Sequence, residues 1–267
     1  MDFKEISSRG LVMLGCGKMG SAMLSGWLAE GLSPAAVHVQ DPFPSDWVIG
    51  TGVLVNQALP KAPALVIVAV KPQMMADALP ALRAYGEGET LFITVAAGTS
   101  LATYAGMLGA ETPVIRAMPN TPAAIGQGIT ALVGSTAATA EHLDTAEGLL
   151  RAIGRTVRLA HEGQMDAVTG LSGSGPAYVF HLIECMAAAG QAQGLPPDMA
   201  MELARATVAG AGQLALGEET PEQLRINVTS PNGTTQAGLE VLMGKLPSLM
   251  RATVRAATER SKELSRE

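Results

Sequence analysis

Two hydrophobic patterns follow one another along the chain. In the first part, short apolar runs alternate with stretches of helical spacing. Leu11-Val12-Met13-Leu14 is such a run, and glycines follow it at once. Met19, Met23, Trp27 and Leu28 then return at the spacing of one helix face, up to Gly31. Residues 37–40 predict a second strand, ended by Asp41-Pro42. Residues 65–70 form a continuous β-rich run, the pattern of a parallel strand buried on both faces. Residues 91–95, 114–115 and 129–133 predict further strands, 141–153 a helix, and 156–159 a strand that closes the sheet. Strands separated by helices predict an α/β fold with a doubly wound parallel sheet. After about His161 the β-rich runs stop. Ala-, Met- and Leu-rich segments at 164–170, 176–194, 198–216, 235–243 and 246–264 predict an all-helical second domain. The division drawn here is 1–161 and 162–267.

The chain has 267 residues, 48% of them hydrophobic and 16% charged, which supplies ample core and excludes a disordered, charge-rich polymer. Its net charge is −6, it has no basic run and only 3% of its residues are aromatic, so no nucleic-acid partner is expected. The apolar stretch nearest to a membrane span, 176–190, contains His181 and Glu184, so no membrane partner is expected either. Cys16 and Cys185 are isolated, and the four histidines are scattered, so neither a disulfide framework nor a metal site is expected. Residues 1–9 carry Asp2, Lys4 and Glu5 in place of a secretion signal, so the expected compartment is the cytoplasm.

Gly15-Cys16-Gly17-Lys18-Met19-Gly20 fits G-x-G-x-x-G between a strand and a helix, the dinucleotide fingerprint of a Rossmann-type sheet. Gly15 serves the tight turn, Gly17 the approach of the pyrophosphate, and Gly20 the close packing of helix on strand. All six residues are candidate coenzyme contacts, because bare N–H groups and the helix dipole favour phosphate there. Asp41 ends the second strand, where an acid commonly holds the adenine ribose. No Lys or Arg stands between Lys18 and Lys61. The coenzyme is therefore NADPH or NADH, with a lean toward NADH. The alternative for Asp41 is that it only opens a turn before Pro42.

Several motifs resemble pyrroline-5-carboxylate reductases. They are Val70-Lys71-Pro72, Ala96-Ala97-Gly98, Arg116-Ala117-Met118-Pro119-Asn120-Thr121-Pro122, Leu171-Ser172-Gly173-Ser174-Gly175-Pro176-Ala177-Tyr178 and Val228-Thr229-Ser230-Pro231-Asn232-Gly233-Thr234-Thr235. The resemblance spans nearly the whole chain. It implies reduction of L-1-pyrroline-5-carboxylate to L-proline with NADPH or NADH, the last step of proline biosynthesis. It also implies a homo-oligomer built on a dimer of the helical domains. The chain departs from the family in carrying Asn232-Gly233 where Gly-Gly is usual, and Asn is the side chain that best tolerates positive φ.

The resemblance implies further site residues. Thr235 is the donor near the substrate's ring nitrogen; its other reading is a cap on the following helix. Ser230, Gly233 and Thr234 form a carboxylate cradle with it, Ser174, Gly175 and Pro176 bring backbone near the substrate, and Glu218 lies on the amine side. On the coenzyme side stand Asn56 near the adenosine, Ala69, Val70, Lys71 and Pro72 near the nicotinamide ribose, and Ala97, Met118, Pro119 and Asn120. The rivals are a β-hydroxyacid dehydrogenase, a reductase of another cyclic imine, and a non-catalytic dinucleotide sensor. The first requires an interdomain lysine, yet the second domain holds only Lys245 and Lys262.

Overall fold

The computed structural model describes residues 3–265. Met1 and Asp2, part of the charged start read above as no secretion signal, and residues 266 and 267 lie outside them. The chain divides into two compact units. One runs through Gly173 and takes in the chain again from Ala257, and the other is Ser174–Ala256.

The first unit is built on an eight-stranded sheet in the order β3-β2-β1-β4-β5-β6-β7-β8. The strands are β1 Leu11–Leu14, β2 Val37–Gln40, β3 Leu54–Val55, β4 Leu65–Val68, β5 Leu91–Thr94, β6 Val114–Met118, β7 Gly128–Gly134 and β8 Gly154–Arg158. β1, β4 and β5 are buried along their whole length, as parallel strands covered on both faces must be. Their side chains alternate between two cores. Leu11, Met13, Ile67 and Ile93 pack with Met23, Leu24 and Trp27 on one face. Val12, Leu14, Val66 and Phe92 pack with Leu79, Leu82 and Tyr104 on the other.

The helices of this unit are α1 Lys4–Arg9, α2 Lys18–Ala29, α3 Asp46–Gly50, α4 Met75–Ala78, α5 Leu101–Leu108, α6 Ala140–Leu150 and α7 Met165–Val168. Trp27 of α2 is fully buried and donates from its indole N–H to the Leu149 carbonyl of α6 at 2.9 Å. The pair ties two helices of one face together.

The sheet departs from the expected all-parallel form at one step. β7 runs antiparallel to β6, and β8 then runs parallel to β7. The cause is the length of the link. Only residues 119–127 separate β6 from β7, with a single 3-10 turn, whereas a parallel crossover needs about a dozen residues or more.

The second unit contains α8 Gly175–Ala192, α9 Pro197–Leu214, α10 Pro221–Asn227 and the start of α11 Thr234–Leu264. Pro176, Pro197 and Pro221 stand in first turns, where a missing N–H costs nothing. The two segments expected at 235–243 and 246–264 are one continuous helix with Pro247 inside it. Proline fits helical φ and removes one hydrogen bond, which a long helix absorbs as a bend. α10 was not anticipated, although Thr220 caps it through the Gln223 N–H at 3.2 Å ahead of a first-turn proline.

This unit has almost no core of its own. Among its described residues only Ala187, Ala200 and Ala204 are buried. Phe180, Leu203, Val241 and Leu249 are each more than half exposed. That much apolar surface on four helices requires a partner surface.

Candidate active site

The carboxyl ends of β1 to β6 share one edge of the sheet, because these six strands are mutually parallel. The chain leaves each of them through a residue singled out in the sequence. Gly15 follows β1, Asp41 follows β2, Asn56 follows β3, Ala69 follows β4, Ala97 follows β5 after Val95 and Ala96, and Met118 ends β6 ahead of Pro119 and Asn120. The strand order reverses between β1 and β4, and there the glycine turn meets Ala69 and Val70. Ligands of open α/β sheets bind at such a reversal.

The three glycines have different physical reasons. Gly15 takes φ 82°, and a Cβ there would stand 2.9 Å from Val70 Cγ1 and 3.0 Å from the Ala69 carbonyl oxygen. A Cβ on Gly20 would stand 3.0 Å from the Gly15 carbonyl, so α2 approaches the turn more closely than a side chain permits. Gly17 has φ −71° and nothing within 4 Å of its Cβ position. Internal packing therefore does not explain Gly17. Its bare backbone opens α2, whose first turn carries no acidic residue, so the orphan N–H groups of that turn suit an anion. The cradle fits a dinucleotide pyrophosphate.

Asp41 is tied into this cradle. One carboxylate oxygen accepts the Cys16 N–H at 2.7 Å, and the other accepts the Phe43 N–H at 2.8 Å. It therefore opens a turn, and it also puts a negative charge beside the glycine loop. Asn56, at φ 51°, grips the Asp41 backbone from both sides, with its Oδ1 accepting the Asp41 N–H at 3.0 Å and its amide donating to the Asp41 carbonyl at 2.8 Å. Burial pushes the Cys16 thiol up, a Ser21 hydrogen bond opposes this, and the Asp41 charge adds to it, so the group stays a neutral filler. Lys18 and Lys71 are exposed, and Met19 is half-buried. Of Pro72 only the backbone is described; it starts a 3-10 turn.

Asn120 braces loops. Its Oδ1 accepts the Ile129 N–H at 3.0 Å, and its amide donates to the Ser172 carbonyl at 3.3 Å. Met118 packs where a Cβ on Gly173 would stand, 2.7 Å from its methyl carbon. Through these two contacts the Met118-Pro119-Asn120 loop meets the Ser172-Gly173 segment, which is wound as a π-helical turn over Thr169–Gly173.

The structure also shows a cluster that the sequence reading did not single out. Thr94, Tyr104, Arg116 and Glu162 form hydrogen bonds around the loop that carries Ala97. The available signal was a charged residue, Arg116, within the otherwise apolar β6.

The second unit holds the remaining residues. Ser174, Gly175 and Pro176 open α8, and Glu218 is exposed in the turn between α9 and α10. The loop before α11 turns through Asn232 at φ 58°. The Gly233 N–H donates to the Ser230 carbonyl at 3.1 Å, and Ser230 Oγ lies 2.3 Å from where a Gly233 Cβ would stand, so a side chain there would turn the serine hydroxyl away and press on the Ser230 carbonyl. Thr234 and Thr235 form the exposed first turn. Thr235 lies inside the helix, so the cap does not fall to it, and its hydroxyl makes no hydrogen bond to another described residue.

A glycine cradle at the reversal of a doubly wound sheet, followed by a helical unit that lacks its own core, defines an NAD(P)-dependent oxidoreductase with a dimerisation domain. Comparison with known proteins narrows this. A family model described as pyrroline-5-carboxylate reductase dimerisation matches residues 162–264, and one described as NADP oxidoreductase, coenzyme F420-dependent, matches residues 11–98. A pyrroline-5-carboxylate reductase of Pseudomonas aeruginosa is 37% identical, the match covering 97% of this chain and 98% of that one. That of Methanosarcina acetivorans is 39% identical over 95% and 97%. Among solved structures, a Coxiella burnetii pyrroline-5-carboxylate reductase has TM-score 0.91 at 32% identity, covering 96% of this chain and 98% of that one. A Plasmodium falciparum pyrroline carboxylate reductase with NADP bound has TM-score 0.83 at 25% identity, over 97% and 99%. The chain belongs to the pyrroline-5-carboxylate reductase family. Among the described residues no three His, Cys, Asp or Glu are grouped so as to hold a metal ion, and no helix is long and apolar enough to cross a membrane.

Proposed function

We propose that this chain reduces L-1-pyrroline-5-carboxylate to L-proline, closing proline biosynthesis, and that it uses NADH in preference to NADPH. The bare backbone at Gly17 carries the reading. It opens α2 as a bare N-cap with nothing packed against it, in a chain matched along its length to reductases of this substrate. When bound, the reduced nicotinamide supplies a hydride for the imine carbon.

The protein's own residues bind, orient and hold a proton. Gly15, Gly17 and the first turn of α2 hold the pyrophosphate through backbone N–H groups. Asp41 fixes the Cys16 N–H and presents its charge where a 2′-phosphate would meet repulsion, with no lysine or arginine between Lys18 and Lys61 to offset it. Ala69, Val70, Lys71 and Ala97 line the nicotinamide end with backbone. Ser230, Gly233 and Thr234 hold the substrate carboxylate at the start of α11. Ser174, Gly175 and Pro176 shape the wall beside the ring. The Thr235 hydroxyl, exposed in the first turn of α11, donates to the ring nitrogen. Glu218 lies on the amine side. Both cysteines are free thiols, which fits a cytoplasmic enzyme.

The test is a paired assay. Pyrroline-5-carboxylate is added with NADH or with NADPH, and loss of reduced-nicotinamide absorbance and formation of proline are followed together. Turnover with the higher kcat/KM for NADH is expected. Absence of turnover with both coenzymes overturns the activity, and turnover only with a larger cyclic imine reassigns the substrate. A higher kcat/KM for NADPH overturns the role given to Asp41.

A further inference from the structure

Arg116 is an anomaly in this fold. It lies in β6 with β5 on one side and β7 on the other, and it is only 6% exposed. A buried guanidinium needs a counter-charge, and Glu162 supplies one, with Nη1 to Oε1 at 2.6 Å. The same carboxylate oxygen accepts the Leu101 N–H at 2.8 Å. Leu101 is the first residue of α5, so Glu162 serves an orphan donor of that helix from 61 positions along the chain. Ser100 Oγ serves another, the Thr103 N–H, at 3.1 Å.

The other end of the same loop is held too. Thr94 Oγ1 accepts the Ala96 N–H at 3.3 Å and shares a 2.5 Å hydrogen bond with the Tyr104 hydroxyl. Tyr104 is fully buried in α5, with the Arg116 charge near it. The segment 95–100 is thus clamped at Ala96 and at Leu101, and Ala97 stands exposed between the clamps. On its remaining side, a Cβ on Gly98 would lie 3.7 Å from the Leu264 carbonyl at the end of α11. That end is secured by a 2.7 Å hydrogen bond from Ser261 Oγ to Asp166, four residues beyond Glu162.

We infer that Glu162 and Arg116 are positioning residues for the coenzyme: they set the height of the Ala97 loop through the first N–H of α5. The inference rests on the reading that Ala97 lies against the coenzyme. Stability does not account for the pair, since a buried ion pair adds little over an apolar pair of the same size. What an apolar pair lacks is an acceptor for the Leu101 N–H. Glu162→Gln also falls short: its carbonyl oxygen can stand where Oε1 meets both donors, but the buried guanidinium loses its counter-charge and the hold on the Leu101 N–H loosens with it.

The experiment compares wild type, Glu162→Gln, the double variant Arg116→Met/Glu162→Met, and Ala97→Leu. The readouts are the Kd for reduced coenzyme, KM and kcat for pyrroline-5-carboxylate, and Tm. Glu162→Gln should raise the coenzyme Kd about tenfold, with kcat at saturation and the imine KM within about twofold of wild type. The double variant should recover Tm to within a few degrees and still bind coenzyme as weakly as Glu162→Gln. A merely structural pair would recover Tm and Kd together, and that result overturns the inference. So does a wild-type Kd in Glu162→Gln when Ala97→Leu binds weakly. If Ala97→Leu itself binds coenzyme like wild type, the loop does not touch the coenzyme, and the site reading fails along with the inference.

Discussion

Adding one methyl group at Gly15 and one at Gly17 should separate architecture from binding. At Gly15 the backbone has φ 82°, and the new Cβ would stand 2.9 Å from Val70 Cγ1 and 3.0 Å from the Ala69 oxygen. The left-handed conformation costs alanine roughly 1–2 kcal/mol, and overpacking adds roughly 1–3 kcal/mol. Gly15→Ala should therefore lose at least about 2 kcal/mol, a Tm drop of some 4–8 °C for a unit of this size. At Gly17 the backbone has φ −71° and open space around the Cβ position, so Gly17→Ala should cost the ligand-free protein no more than about 1 kcal/mol, the preference of an N-cap for glycine over alanine. Its larger effect should appear with coenzyme present. At a concentration of 100 Kd, bound coenzyme stabilises wild type by about 2.7 kcal/mol, and a tenfold weaker variant at the same concentration by about 1.4 kcal/mol. The coenzyme-induced rise in Tm should thus fall by about half. Thermal unfolding with and without reduced coenzyme, beside a direct Kd measurement, reads both quantities. A Gly17→Ala protein whose coenzyme shift equals that of wild type would refute the cradle, whatever happens at Gly15.

Other substitutions carry their own expectations. Thr235→Ala should lower kcat about tenfold to a hundredfold while leaving coenzyme Kd unchanged, with Thr235→Ser retaining most of the rate; equal kcat in wild type and alanine variant removes the hydroxyl from the mechanism. Asp41→Ser should lower the NADH-to-NADPH ratio of kcat/KM about tenfold or more, and an unchanged ratio assigns the preference elsewhere. Hydrogen bonds from Arg158 and Thr156 hold the Glu147 carboxyl below the usual carboxylate range. Its contribution is therefore present near neutral pH and is lost as pH falls through that lowered pKa. Glu147→Gln should unfold earlier than wild type near neutral pH and converge with it in acid. A gap that persists in acid denies the linkage.

The parts of this fold that sequence makes legible are those set by local pattern. The continuous apolar runs at Leu11–Leu14 and Leu65–Val68 are buried on both faces, and the glycine turn between β1 and α2 falls where its spacing places it. Asn232 takes the positive φ that its side chain tolerates. The failures have a common cause in distance along the chain. A proline inside a helical pattern reads locally as a break, yet α11 continues through Pro247. β7 carries a buried apolar run like those of its parallel neighbours, and only the short link before it marks it as antiparallel to β6. Arg116 and Glu162 lie 46 positions apart, so neither motif nor period could pair them. Asp41 was weighed as ribose ligand or turn opener, whereas its carboxylate also holds the Cys16 N–H, a contact across 25 positions that no spacing rule expresses.

The way the chain is threaded has a practical consequence. It leaves the nucleotide-binding unit after Gly173 and comes back to it at Ala257, so that unit cannot be excised as one contiguous stretch. Stopping translation at Gly173 would strand Asp166 without the Ser261 hydroxyl and strip the chain end that borders Gly98. Anyone seeking a minimal coenzyme-binding fragment must splice the last helical turns back on, because the tail is a structural tenon of the half in which the protein begins.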